Sequence, residues 1–356
     1  MDFDYFYAQC EEVRSPNLKT KPVMVCMFSD RGGDSGAIAT ANYNAREYGV
    51  KSGVSIKFAK QKLKDITDSV FLPADFEYYS EMSEKSMNII KKFADVFEYV
   101  GRDEAYLDVS EKVEHDFVKA SHIAQQIKNE VREKTKLTCS IGISPNKLLS
   151  KIASGYKKPD GLTTITPDKI SEFIETLNLE DIHGIGEKTV QKLAEEGIET
   201  ISQAKNLDVF VLISMFGRKT GTYIHNAVRG IDDNAVKIRA PTLQLSKIMT
   251  LKEDSVDSIF LEKNLFELCE KLHPSILKEN KMFRSVGIYL TQTDLSSKTR
   301  SRMLKNPILG LDELKKVSGQ LLKEALEDQS ILIRRLGVKV SELSDLEGQS
   351  NITSYF

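Results

Sequence analysis

Two acidic motifs set the strictest condition on this fold: Asp2-Phe3-Asp4-Tyr5-Phe6-Tyr7 at the start of the chain, and Asp103-Glu104-Ala105-Tyr106-Leu107-Asp108 far downstream. Carboxylates that come from distant segments to share one site suit a two-metal phosphoryl-transfer centre. Hard divalent cations take oxygen ligands and must be held a few ångströms apart. The residues between the motifs show how they would meet. After a long insert, a helix-period stretch at 76–93 leads to an apolar strand at 96–100 and a turn at Gly101-Arg102-Asp103; a strand at 105–109, a helix at 117–133 and a strand at 137–143 follow. This β-α-β-β-α-β order is the split βαβ arrangement, in which the third strand lies antiparallel between the first two. Asp2, ending the first strand, then sits beside Asp103 and Glu104 at the start of the third.

The C-terminal region repeats the pattern, with strands at 243–251, 283–290, 299–304 and 331–340 and helices at 256–272 and 311–326. Gly230–Pro241, with Asp232, Asp233 and Asn234, lacks periodicity and reads as a linker. Before it, Asp181-Ile182-His183-Gly184-Ile185-Gly186 opens a helical run that ends near Gly197. Glycines around one apolar residue at a helix N-terminus let backbone N–H groups approach a phosphate, which is the helix-hairpin-helix pattern.

A formal net charge of −2 argues mildly against a nucleic-acid partner. The distribution says more than the sum, because residues 240–340 carry a basic excess and Lys298, Arg300, Arg302 and Lys305 fall in a stretch without acids. Alternating Lys298, Arg300 and Arg302 would face one side of a strand, as a phosphate-tracking surface requires. No stretch approaches the ~18 apolar residues of a membrane span, and the start has no signal-peptide pattern. Cys10, Cys26, Cys139 and Cys269 show no C-x-x-C spacing, so neither a disulfide framework nor a zinc site is indicated. A reduced, cytoplasmic monomer is the expectation.

The segments DFDYFYAQCEEV from Asp2, ATANYNAR at 39–46, DEAYLDVS at 103–110, GISPNKLLSKIAS at 142–154 and KKPDGL at 157–162 resemble the Y-family (translesion) DNA polymerases, most of all the archaeal DNA polymerase IV type. The resemblance runs in order over nearly the whole chain. It implies an α+β, multidomain right-hand polymerase: a split βαβ (ferredoxin-like) palm at 1–13 and 73–165, small fingers at 14–72 and a helix-hairpin-helix thumb at 166–230. A linker at 231–241, a β-α-β-β-α-β little finger at 242–341 and a tail at 342–356 complete it. The activity implied is low-fidelity, template-directed synthesis past damaged bases, from deoxynucleoside triphosphates on primer-template DNA, without proofreading.

By the same resemblance Asp2, Asp103 and Glu104 hold two Mg²⁺ ions with the Phe3 carbonyl completing the ligands; Asp108, at the far end of its strand, is expected to cap or pair rather than bind metal. Tyr43, Arg46 and Lys158 take the triphosphate, and Tyr7 is the sugar gate that excludes a 2′-hydroxyl. Gly36, Ala37, Ala39 and Gly53 leave space above the nascent base pair. Gly184, Gly186, Lys298, Arg300, Arg302, Arg334 and Arg335 contact DNA. Gln349, Ile352, Tyr355 and Phe356 have the spacing of a sliding-clamp-binding box, with residues three apart stacking on one face of a 3₁₀ turn.

The chain departs from the family in places. Only Met1 precedes Asp2 where the family has a full apolar strand, which suggests that the natural product starts upstream. Gly101-Arg102 replaces the usual Ser and aliphatic residue, and His183 stands where Pro is usual. The rival reading is a catalytically impaired, DNA- and clamp-binding relative. A helix-hairpin-helix nuclease or glycosylase would explain neither Tyr7 nor Lys158.

Overall fold

The computed structural model describes residues 1–238, 242–327 and 331–346. Part of the expected linker, and the clamp-box residues Gln349, Ile352, Tyr355 and Phe356, lie outside the described residues. Met1–Met27, Ala37–Val54 and Phe58–Ala240 form one compact unit; Phe28–Gly36, Ser55–Lys57 and Pro241–Phe356 form another.

In the first part of the chain the strands are β1 (Asp2–Phe3), β2 (Val23–Phe28), β3 (Gly36–Ala41), β4 (Val70–Pro73), β5 (Val96–Gly101), β6 (Glu104–Asp108), β7 (Cys139–Ile143) and β8 (Leu162–Thr164). One sheet runs β5-β6-β1-β7-β8, so the third strand of the split motif does lie between the first and second. Although β1 is only two residues long, it pairs antiparallel on both sides: Asp2 stands opposite Glu104 on β6 and opposite Ser140 on β7. Strand β8, parallel to β7, is an addition to the expected pattern. A smaller sheet, β3-β2-β4, comes from the insert.

Two helices cover the larger sheet. Phe76–Ile90 starts where the Asp75 carboxylate accepts the Tyr78 N–H, and Phe117–Thr135 where Asp116 accepts Val118 and Lys119 N–H groups. In the second helix Ala120, Ala124, Ile127 and Val131 recur three or four residues apart and are buried, giving one apolar stripe. Ala124, Ile127 and Val131 of the stripe pack with Phe3, Ala105, Cys139 and Ile141 of the sheet into one core. A separate core gathers Leu148, Leu149, Ile152 and Ala153 of the helix Lys147–Tyr156 with Ile182 of the following turn and Leu193, Leu212 and Ile224 of the helices beyond it.

The C-terminal strands are β9 (Gln244–Ser255), β10 (Lys281–Gln292), β11 (Ser297–Ile308) and β12 (Ile333–Asp345), with helices Ser258–Lys278 and Leu311–Leu326 between them. The element order repeats that of the first sheet, but the strand order does not. Here the sheet runs β11-β10-β12-β9, with the fourth strand of the motif between the first and second. In both sheets strands two and three remain a hairpin. The hairpin docks through its third strand in the first sheet and through its second in the other.

Register corrects one expectation. Lys298, Arg300 and Arg302 do share a face of β11, but directly opposite them on β10 stand Leu290, Ile288 and Val286, whose side chains form the core beneath the helices. Residues directly opposite in a ladder point the same way, so the three cations lie on the helix side of an edge strand. Arg302 is committed there, donating to Gln320 at 2.6 Å and pairing with Glu324. The open face instead carries Tyr289, Lys339 and Arg335, with Lys339 Nζ 5.3 Å from the Tyr289 ring centroid.

Candidate active site

The pairing of β1 with β6 joins the two acidic motifs. Phe3 N–H donates to the Asp103 carbonyl at 2.8 Å, Ala105 N–H to the Met1 carbonyl at 3.2 Å, and the buried Met1 amine to the Ala105 carbonyl at 2.8 Å. Burial holds that amine below its ordinary pKa. The turn before Asp103 is anchored: the Arg102 carbonyl accepts the Ser83 hydroxyl at 2.6 Å, and Arg102 Nε donates to Ser80 at 3.0 Å. At the other end of β6, Asp108 accepts the Ser110 N–H at 2.9 Å, a local cap as expected.

Two lysines sit on this acidic cluster. Lys151 Nζ bridges Asp2 Oδ2 at 2.6 Å and Glu104 Oε2 at 2.7 Å, while Lys158 Nζ pairs with Asp2 Oδ1 and donates to the Phe3 carbonyl at 2.9 Å. Burial works to raise the Asp2 carboxyl, but Lys158 and Lys151 outweigh it and hold the group below the ordinary aspartate range. Asp103 moves the other way, raised by partial desolvation and then by the negative charges of Asp2 and Glu104. Among the described residues no three acidic, His or Cys side chains gather closely enough to share a metal ion. The donor chemistry nevertheless fits hard cations, since ammonium groups stand in at Asp2, Glu104 and the Phe3 carbonyl, all oxygens assigned to metal from the sequence.

The residues expected around a nucleotide are held by a second set of contacts. Asn42 makes all four side-chain hydrogen bonds: its oxygen accepts Val23 and Ala45 N–H groups at 3.0 Å, and its amide donates to Glu12 at 2.9 Å and the Lys21 carbonyl at 2.8 Å. It caps the short helix Tyr43–Arg46 and so aims both side chains. Arg46 lies over the Tyr43 ring at 4.8 Å and donates through Nε to the Ala41 carbonyl at 3.0 Å. The Tyr43 hydroxyl is buried with no hydrogen-bond partner, an uncompensated polar atom that a ligand would satisfy. Tyr7 stacks on Tyr79 at 4.7 Å, and Tyr79 is fixed in turn through its hydroxyl to Glu11 at 2.6 Å. Gly36, Ala37 and Ala39 lie on β3, where Gly53 N–H donates to the Ile38 carbonyl at 2.9 Å.

Farther along the chain, Gly184 has φ of +87° and an added Cβ would stand 3.0 Å from the Tyr223 ring, so both conformation and space require glycine. Gly186 caps the helix Glu187–Glu195. Arg334 and Arg335 belong to β12. Sequence reading assigned no role to Lys151 or Lys339, and named Asn42 only as a neighbour of Tyr43. The four-residue spacing of Lys147 and Lys151 on one helix was the available signal, since Lys147 reaches Glu98 at 2.7 Å just as Lys151 reaches Glu104.

Comparison with known proteins adds to this geometry. The impB/mucB/samB family model matches residues 1–155, that family's C-terminal domain matches 243–353, and the DNA polymerase-iota thumb domain matches 180–232. DNA polymerase IV of Nitrosopumilus maritimus is 65% identical over 356 residues, which cover 100% of this chain and 98% of that protein. DNA polymerase IV of Saccharolobus solfataricus is 35% identical, covering 98% of this chain and 97% of the relative. Among solved structures, a Y-family DNA polymerase chimera of Dbh and Dpo4 gives a TM-score of 0.89 at 33% identity, over 97% of this chain and 98% of the other. The insertion ternary complex of Dbh DNA polymerase gives 0.69 at 32%, with the same coverage of 97% and 98%.

The opposed carboxyls generate a stability prediction. A raised folded-state pKa means that ionised Asp103 opposes folding above that pKa, and that the penalty fades as pH falls towards the unfolded value near ~3.9. Because Asp103 is solvent-exposed, screening keeps the effect small. Asp103→Asn is expected to raise the melting temperature at pH 7 by about 1–2 °C, with the gain vanishing near pH 4. Thermal melts of both proteins across that range check it.

Proposed function

Since the chain belongs to the Y family of DNA polymerases, the impB/mucB/samB family, we propose that its primer extension takes place at the end of β1 and β6, on Asp2, Asp103 and Glu104. The chain is a DNA-directed DNA polymerase of the translesion class, acting on primer-template DNA with deoxynucleoside triphosphates. The observation that carries the site assignment is the convergence of Asp2, the Phe3 carbonyl, Glu104 and two lysines at one end of a sheet.

Polymerases of this family are generally metal-dependent. In our reading Asp2, Asp103, Glu104 and the Phe3 carbonyl would hold two Mg²⁺ ions, which when bound lower the pKa of the primer 3′-hydroxyl and neutralise charge on the triphosphate and leaving pyrophosphate. Lys158 then exchanges the Asp2 and Phe3 oxygens for phosphate oxygens as a point charge, Arg46 forks two more, and the unpartnered Tyr43 hydroxyl donates. Tyr7, braced by Tyr79, lies under the deoxyribose and leaves no space for a 2′-hydroxyl. Gly36, Ala37, Ala39 and Gly53 put little volume above the base pair, so shape checking is weak. Nothing in the site favours a catalytically impaired relative.

We assign the palm to 1–13 and 73–165, the fingers to 14–72, the thumb to 166–230 and the little finger to 242–341. DNA would be held by the Gly184–Gly186 turn and by the open C-terminal sheet face through Arg335 and Lys339, with Arg334 on the same strand, whereas Lys298 and Arg300 lie on the helix side, away from that face. We take the protein to be a cytoplasmic monomer. No described helix is long and apolar enough to cross a membrane. The Gln349, Ile352, Tyr355 and Phe356 box would tether the enzyme to a sliding clamp.

Three measurements bear on this reading. Primer extension with Mg²⁺ and all four deoxynucleotides should proceed with the wild-type chain and fall roughly a thousandfold for Asp103→Asn, a loss of about 4 kcal/mol in transition-state stabilisation, with primer-template affinity within a few-fold; extension by the variant would refute the assignment. Tyr7→Ala should sharply raise ribonucleotide incorporation relative to deoxynucleotides, and equal loss of both would make Tyr7 a packing residue. Deleting residues 349–356 should leave synthesis on short free templates intact and abolish stimulation by a clamp, as expected of a tether that works through effective concentration.

A further inference from the structure

The second acid of the first motif has no place in the mechanism above, yet its surroundings are built. Asp4 is 0% exposed, and its carboxylate meets neutral donors: Ser140 Oγ at 2.7 Å on one oxygen, Thr138 Oγ1 at 2.8 Å and the Asp160 N–H at 2.8 Å on the other. Ser140 passes the contact on, because its hydroxyl also accepts the Gly161 N–H at 3.0 Å. A buried carboxylate without a counter-charge is costly. Simple packing at this position would not need the charge.

Its donors converge on the loop that carries Lys158. From the other side, buried Lys128 donates to the carbonyls of Asp160 at 2.5 Å, Gly161 at 2.9 Å and Cys139 at 3.1 Å. Its ammonium also pairs with Asp160 Oδ1 at 2.9 Å, while Arg132 takes the other oxygen of that carboxylate. Gly161 cannot carry a side chain, since a Cβ there would stand 2.4 Å from the Lys157 carbonyl oxygen. The loop is thus pinned through its N–H groups to Asp4 and Ser140 and through its carbonyls to Lys128. Lys158, two residues before these pins, reaches Asp2 and the Phe3 carbonyl. Asp2, Phe3 and Asp4 are consecutive, so one short stretch of backbone bears both the site oxygens and the pin that sets their distance from Lys158.

We propose that Asp4 is a positioning residue for the incoming nucleotide: with Ser140 as relay and Lys128 as counter-clamp, it fixes the 157–161 loop so that Lys158 can turn from Asp2 to a triphosphate without the loop moving. The inference rests on the polymerase reading and deepens it. Holding a cationic group within a fraction of an ångström of its target is the kind of task a distant hydrogen-bond network performs.

The test is single-nucleotide incorporation by the full chain, with Asp4→Asn and Ser140→Ala each made alone and in a Lys158→Ala background. Asp4→Asn should raise KM for the nucleotide roughly tenfold, with primer-template Kd unchanged, and Ser140→Ala should shift it in the same direction by less. In the Lys158→Ala background neither should have further effect, because non-additivity marks residues acting through one another. Effects of equal size in both backgrounds, or an equal loss of primer-template affinity, would show Asp4 to be a packing residue and overturn the proposal. Should Asp4→Asn fail to fold, Ser140→Ala decides by the same comparison. A wild-type chain that incorporates no nucleotide would remove the polymerase reading and this inference together, whereas an active wild type with additive variants removes the inference alone.

Discussion

Carboxylates crowded at one end of a sheet repel, and the positive charge that offsets them organises the chain around it. The register puts Asp2 directly beside Glu104, with Asp103 next in sequence. Lys151 answers this from the helix Lys147–Tyr156 and Lys158 from the loop behind it. For Lys151 to face the acids, Leu148, Leu149, Ile152 and Ala153 must turn the other way, which is where they meet the core of the following helices. The electrostatics of the site and the burial of that helix thus ask for the same orientation, and neither works against the other.

Several basic side chains are used in this internal fashion. Lys147 is paired with Glu98 and lies over the Tyr106 ring at 4.7 Å, Lys128 is buried among carbonyls, and Arg302 is paired with Glu324. A net charge of −2 therefore says little about what the molecule can bind. What counts is which cations remain on an open face, as Lys339 and Arg335 do on the C-terminal sheet, and that is a question of strand register.

Two sheets with one element order and two strand orders show what a chain's order leaves open. The hairpin of strands two and three is local, joined by a few residues, and recurs in both. Which edge of that hairpin meets the rest of the sheet depends on side chains brought together from far apart. In the first sheet β1 enters between β6 and β7; in the second β12 enters between β10 and β9.

The amino-acid sequence by itself determined the helices and strands of the two β-α-β-β-α-β regions, the meeting of Asp2 with Asp103 and Glu104 and the turn at Gly184. These follow from hydrophobic period, capping residues, glycine geometry and motif spacing, all of which act over a few residues or repeat a recognisable pattern. Tertiary structure alone decided the seat of Lys151 and Lys158 on the acids and the saturation of Asn42. It also decided the orphaned Tyr43 hydroxyl, the extra strand β8 and the burial of Asp4. It turned Lys298, Arg300 and Arg302 to the helix side because Leu290, Ile288 and Val286 stand opposite them. Each of these is a pairing between residues far apart in the chain. A side chain's period shows that it has a face, whereas only the packed neighbour decides what that face meets.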